Sequence, residues 1–167
     1  LVTLMQPDSG TVTINGWALE KEPAKIRSAI GVLFQDPSLD ERLTAYENLY
    51  FHAMFYHVPP RDVTQRIKAF LEMVGLADRG HDLVITFSGG LKRRLEIARS
   101  ILHHPQILLL DEATVGLDPQ ARRRIWDYIA ELRRDRELTV LLTTHYLEEA
   151  EICDRIAILD HGAIIAC

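Results

Sequence analysis

The stretch that decides the fold is FSGGLKRRLEIARSILHHPQILLLDEATVGLD, Phe87 to Asp118. Ser88-Gly89-Gly90 opens a helical pattern whose apolar face is Leu91, Leu95, Ala98 and Leu102. The free N–H groups and positive dipole end of a helix start favour an anion, and glycines let backbone approach phosphate closely. Ile107 to Leu110 is an apolar run of buried-strand type that ends in Asp111-Glu112. A carboxylate at such a strand end can hold Mg2+, mostly through water, and a second beside it can orient and deprotonate an attacking water. Gly116-Leu117-Asp118 follows, and Asp118-Pro119 reads as a cap and first-turn proline of another helix. Each feature alone has a plain alternative, a Ser N-cap after a loop or two solvated acids. All three in this order and spacing point to phosphate chemistry.

Downstream, Ile125, Ile129 and Leu132 make a helical core face, and Thr139–Thr143 and Arg155–Leu159 are short apolar runs of buried-strand type. Asp160-His161-Gly162 then turns into Ala163–Ala166. His145, just after Leu141-Leu142-Thr143-Thr144, can donate a hydrogen bond to a terminal phosphate and to the attacking water. The other six histidines read as surface or satisfied core groups, with His103-His104 at a helix end where positive charge suits the dipole.

Upstream, Ile30–Phe34 reads as a buried strand ending at Gln35. Thr44-Ala45-Tyr46-Glu47 is a capping box, followed by a helix toward His57 that Pro59-Pro60 stops. Asp62 can cap the next helix, lined by Val63, Ile67, Phe70, Leu71 and Val74 and ended by Gly75. Leu1–Gln6 reads as the tail of a helix, Thr11–Ile14 with Asn15-Gly16 as a hairpin arm and turn, and Pro23–Ser28 as a short helix. Strands alternating with helices imply βαβ units and a mainly parallel sheet, hence an α/β fold. Ligands of such sheets bind beyond the carboxyl ends of the strands, where Gln35, Asp111-Glu112 and His145 all fall.

The 167 residues suit one domain, and 47% hydrophobic with 26% charged residues is the balance of an ordinary soluble globular protein. A net charge of -5 gives nucleic-acid binding no support. Lys92, Arg93, Arg94 and Arg99, and Arg122–Arg124 with Arg133, Arg134 and Arg136, read as solvated helix faces. No apolar run approaches the ~18 residues of a membrane span. Cys153 and Cys167 form no disulfide framework or metal pattern and read as free thiols of a reducing compartment. No glycine is followed by lysine, so the phosphate loop G-x-x-x-x-G-K-[ST] is absent. With an opening of Leu1-Val2-Thr3-Leu4, the expectation is a domain whose N-terminal part has been cut away.

From Pro7-Asp8-Ser9-Gly10 to the final hairpin the chain resembles the ATP-binding subunit of ATP-binding-cassette (ABC) transporters. The resemblance implies a P-loop NTPase-like three-layer α/β fold, with a mainly parallel sheet, an inserted helical subdomain and a small antiparallel element. Residues 1–35 would be a remnant of the N-terminal core, 36–87 the helical subdomain, and 88–167 the signature helix and C-terminal half of the catalytic core. Gln35 matches the Q-loop, which senses Mg2+ and water. Ser88, Gly89 and Gly90 match the signature, which contacts ATP held by the opposite subunit. Asp111 matches the Walker B aspartate, Glu112 the catalytic base, Asp118 the D-loop and His145 the H-loop. ATP and Mg2+ are the implied cofactors. The implied partners are a transmembrane permease subunit and a second ATP-binding subunit, with no nucleic acid. The implied place is cytoplasmic, peripheral on the inner face of the cell membrane.

TVLLTTHYLEEAEICDRIAILDHG resembles ATPases of ABC-2-type exporters of drugs, lipids or polysaccharides. Phe87 and Leu91 depart from the commoner Leu and Gln, Ala113 from the usual Pro, and the Walker A loop is missing. Two other functions stay open: a cassette acting on DNA or ribosomes, and a non-enzymatic remnant. The compact helical pattern between Gln35 and Ser88 argues against the chromosome-structure type with its long coiled coil. A membrane-docking surface is expected in Asp36–Phe55, with Leu39 and Tyr46 exposed and Leu49 and Phe55 buried.

Overall fold

The computed structural model describes residues 1–167 except Leu1, Leu4, Gln6, Asp36, Pro37, Arg136 and Glu137. The chain begins with a small hairpin, β1 (Thr13–Ile14) and β2 (Trp17–Ala18). Its turn is Asn15-Gly16, both at positive φ (51° and 78°), as a two-residue hairpin with right-handed strand twist requires. Then come α1 (Pro23–Ala29), β3 (Ile30–Leu33), α2 (Ala45–Phe55), α3 (Pro60–Met73), α4 (Gly89–Ile101) and β4 (Ile107–Asp111). The order finishes with α5 (Pro119–Asp135), β5 (Thr139–Thr143), α6 (Leu147–Ala150), β6 (Ile158–Asp160) and β7 (Ala163–Ala166).

The central sheet runs β3-β4-β5, all parallel, with Ile30 opposite Ile107 and Ile107 opposite Thr139. Its two faces feed two cores, as the period of two along a strand dictates. Leu33, Leu108 and Leu110 join the large core with Leu49, Ile67, Leu95, Ile101 and Ile125. Ile30, Val32, Ile107 and Leu109 join Leu19, Ile26 and Trp17 on the other face. Helices therefore cover one side of the sheet and α1 with the hairpin covers the other. Gly31 fixes how close α4 lies: a Cβ there would sit 2.2 Å from Ser100 O and 2.9 Å from Pro105 Cγ.

The capping box is real: Glu47 N donates to Thr44 Oγ1 at 3.1 Å and Thr44 N donates to Glu47 Oε2 at 2.8 Å. Several expectations are corrected. The described residues near the start, Val2, Thr3 and Met5, are not helical, and the remainder of that expected helix tail lies outside the described residues. Helix α2 ends at Phe55, and Pro59 and Pro60 start α3 as its cap and first residue. Asp62 lies inside the first turn, 3.6 Å from Arg66, and is not the cap.

Helix α2 is apolar nearly all round, so periodicity does not choose its buried face. Contact chooses it: Ala45, Leu49 and Ala53, four apart, are the buried stripe. Phe55 is 76% exposed and Phe51 55%, whereas Leu39 and Tyr46 pack against the core, with Tyr46 stacked between Tyr50 and His81. Part of the expected docking stretch, Asp36 with Pro37, lies outside the described residues. The strand expected over Arg155–Leu159 is Ile158–Asp160; it pairs with β7 and its residues are exposed. An apolar run earns burial only where another face meets it, and the described residues bring none to this hairpin. No helix among the described residues is long and apolar enough to cross a membrane.

Candidate functional site

The β3-β4-β5 order sets three strand ends side by side. Gln35 lies two residues beyond β3, Asp111 ends β4, and Thr143 ends β5 with His145 two residues on. Thr143 Oγ1 donates to Asp111 Oδ1. Glu112 N donates to Thr143 O at 3.2 Å. The His145 Nδ1 atom lies 3.3 Å from Glu112 Oε1. Glu112 takes a left-handed backbone, φ 46°. Such a conformation costs about 1–3 kcal/mol for a residue with a side chain and persists only where surroundings impose it. Asp111, Gln35 and His145 are exposed and Glu112 is half-buried, so the cluster can be reached from outside.

The surroundings that impose it centre on Arg93, and here the reading of a solvated basic face is overturned. Arg93 is 9% exposed. Its Nε donates to Ala113 O at 2.9 Å, Nη1 to Phe34 O at 2.6 Å, and Nη2 to both Asp111 O and Glu112 O at 2.9 Å. Arg99 Nη1 donates to Ser38 O at 2.7 Å. Lys92 reaches Glu41, 2.5 Å away. The buried stripe of α4 also takes in Glu96, Ile97 and Ser100, so it is wider than an amphipathic repeat signals. Arg136, from the second basic run, lies outside the described residues.

Ser88 caps α4, its Oγ accepting from Leu91 N at 3.4 Å. Asp118 caps α5, accepting from Ala121 N at 2.9 Å and from Arg94. The Ala121 N–H, with Arg94 behind it, holds the Asp118 carboxyl below the usual carboxylate range. Gly90 approaches this loop, with its Cβ direction 3.5 Å from Gly116 O. The candidate residues thus form two groups: Gln35, Asp111, Glu112 and His145 at the strand ends, and Ser88, Gly89 and Gly90 beside the Asp118 loop. Among the described residues no hydrogen bond joins the two groups.

Sequence reasoning missed Thr143 and Arg93. It also missed Glu149, 3% exposed, which accepts from Thr114 and from Trp126 Nε1 and ties the segment after β4 to the one after His145. A hydroxyl residue ending the strand beside Asp111 was the available signal for Thr143. His103 is corrected too. Burial pushes it down to about 4, so it is neutral at the helix end. Its Nε2 lies 3.2 Å from Ile30 O, which only a protonated Nε2 satisfies, leaving Nδ1 to accept from His52 Nε2 at 3.4 Å. Tyr56 stacks on the His103 ring, centroids 3.9 Å apart. Cys153 and Cys167 are free.

Among the described residues no three His, Cys, Asp or Glu side chains could hold a metal by themselves. The strand-end group fits Mg2+ only as one carboxylate, Asp111, beside an amide, Gln35. Mg2+ is commonly held in that way, with phosphate oxygens and water completing the shell.

Residues 1–115 match the family model described as ABC transporter. The chain is 43% identical over 164 residues to the linearmycin resistance ATP-binding protein LnrL of Bacillus subtilis (strain 168), covering 98% of this chain and 52% of that protein. It is 43% identical over 167 residues to the daunorubicin/doxorubicin resistance ATP-binding protein DrrA of Streptomyces peucetius, covering 99% of this chain and 50% of that one. Among solved structures it is similar to a dimeric post-hydrolysis state of an ATP-binding cassette bound to ADP and Pi. That match has a TM-score of 0.90 and 28% identity over 99% of this chain and 75% of the other. The chain spans about half the length of these curated relatives. With more than half of its residues inside that model, the chain belongs to the ABC transporter family.

Proposed function

We propose that the full-length protein binds and hydrolyses ATP and powers an exporter through a separate membrane subunit. The observation that carries this reading is the contact of His145 Nδ1 with Glu112 Oε1 at 3.3 Å, beside an Asp111 anchored by Thr143. Glu112 takes the proton of a water attacking the terminal phosphate, and the His145 Nδ1–H donates to that carboxylate and holds it in place. Mg2+, when bound, neutralises phosphate charge, and Asp111 and Gln35 are the residues of this chain that would hold it. Ser88, Gly89 and Gly90 present a capped helix start to ATP carried by a second ATP-binding subunit.

Resistance to linearmycin and daunorubicin/doxorubicin in the relatives' names supports a drug-like cargo ahead of a lipid or polysaccharide. A dimeric neighbour supports the second subunit. The protein would then work on the inner face of the cell membrane, held there by its permease. In the full-length protein Glu112→Gln should retain ATP binding while hydrolysis falls at least ~100-fold, since an amide of the same shape cannot act as a base. His145→Ala should reduce turnover more than binding. Hydrolysis at the parental rate in both variants would remove this assignment.

A further inference from the structure

We infer that Arg93 is a positioning residue that aims the Glu112 carboxylate and fixes the Gln35 segment, so that helix α4 sets the geometry of hydrolysis. The inference rests on the roles proposed above for Glu112 and Gln35. Along an extended strand, successive carbonyls point to opposite sides. Here the carbonyls of Asp111, Glu112 and Ala113, three in a row, meet one guanidinium. They can do so only because the chain curls, and the positive φ of Glu112 is that curl. The same group holds Phe34 O, the carbonyl just before Gln35. A planar fork of five N–H donors fits four diverging carbonyls, whereas an ammonium is a single compact donor.

The helix grips the far side of Gln35 as well. Glu96, 2% exposed, lies 3.5 Å from Arg93 Nη1 and accepts from Ser38 N at 2.7 Å. Arg99 holds Ser38 through its carbonyl and its hydroxyl. Phe34 and Ser38 bracket Gln35, and both are tied to α4. Ser88 caps that same helix. A rigid tilt of α4, started at Ser88, therefore moves the Glu112 backbone and both flanks of Gln35 together.

The test uses full-length protein, with steady-state rates normalised to ATP-binding-competent protein so that misfolded molecules do not count. Arg93→Lys should lower kcat at least tenfold while KM for ATP stays within threefold. In a Glu112→Gln background the same substitution should lower the residual rate by less than twofold, because the group being aimed is already disabled. Arg93→Gln, which buries no charge, replaces the lysine variant if that one does not fold, with the same expectation. A kcat within twofold of parental, or an undiminished penalty in the Glu112→Gln background, overturns the inference. Parental hydrolysis that does not depend on Glu112 would instead refute the proposed function, and the two failures read separately.

Discussion

Thr143 Oγ1 donates to the carboxylate of Asp111, and the two residues face each other in the β4–β5 register. Directly opposite residues of neighbouring strands project to the same face, so one hydroxyl settles which way the carboxylate turns. Thr143→Val keeps the branched shape and removes that donor. In the full-length protein the Mg2+ needed for half-maximal ATP hydrolysis should rise about three- to tenfold, near the ~1 kcal/mol of one hydrogen bond. Thermal unfolding of the variant serves as the control and should stay close to parental.

Ser88 stands at the exposed start of α4, where its hydroxyl accepts from Leu91 N. If the site is shared between subunits, Ser88→Arg should leave ATP binding by the monomer intact and block ATP-driven dimerisation. A bulky cation opposes the helix dipole and fills the phosphate's space. Mixed with Glu112→Gln subunits, it leaves one composite site with both groups intact. The mixture should hydrolyse ATP faster than either variant alone, and equal rates would mean that the sites are not shared.

Gly31 is a packing requirement. Its Cβ direction runs into Ser100 O and Pro105, and neither a helix carbonyl nor a proline ring yields cheaply. Gly31→Ala should cost about 2–3 kcal/mol in urea unfolding, the upper part of the range for an overpacked core. Gly10→Ala, where nothing lies within 4 Å of the added Cβ, should cost less despite its positive φ.

His52 and His103 make stability sensitive to acid. Burial lowers them to about 3 and about 4 from an ordinary 6.5. Between those values the unfolded chain binds protons that the folded chain refuses. Their contribution is therefore full above pH 6.5 and is lost as pH falls below it, by up to ~1.4 kcal/mol per unit for each proton. Urea titrations at pH 7, 6, 5 and 4.5 should show this fall, and a His52→Gln/His103→Gln double variant should show a shallower one.

Much of this was legible in the sequence where the cause is local. The Thr44 capping box, the caps at Ser88 and Asp118, and the Asn15-Gly16 turn each depend on a few neighbouring residues. The strand ends at Gln35, Asp111 and His145 followed from runs of apolar residues alone. What local pattern could not carry was partnership at a distance. Arg93 looks like any surface arginine until carbonyls from two separate strand ends converge on it. Phe55 looks like core until Ala53 and Leu49 take the contact face. Ile158 and Leu159 look buried until, among the described residues, their pairing is seen to be with β7 alone.

The pairing of Ile30 with Ile107 spans the whole helical insertion. Closing a loop that long costs ~4 kcal/mol of chain entropy before the strand contacts repay it. Contacts between α2 and α3, by contrast, are nearly local. Folding order follows from that difference. The helical segment can collapse first and shorten the effective distance, and the sheet that carries Asp111 and Glu112 assembles late. Substitutions in α2 or α3 should then slow the rate at which the catalytic end forms, though neither helix carries a residue of it.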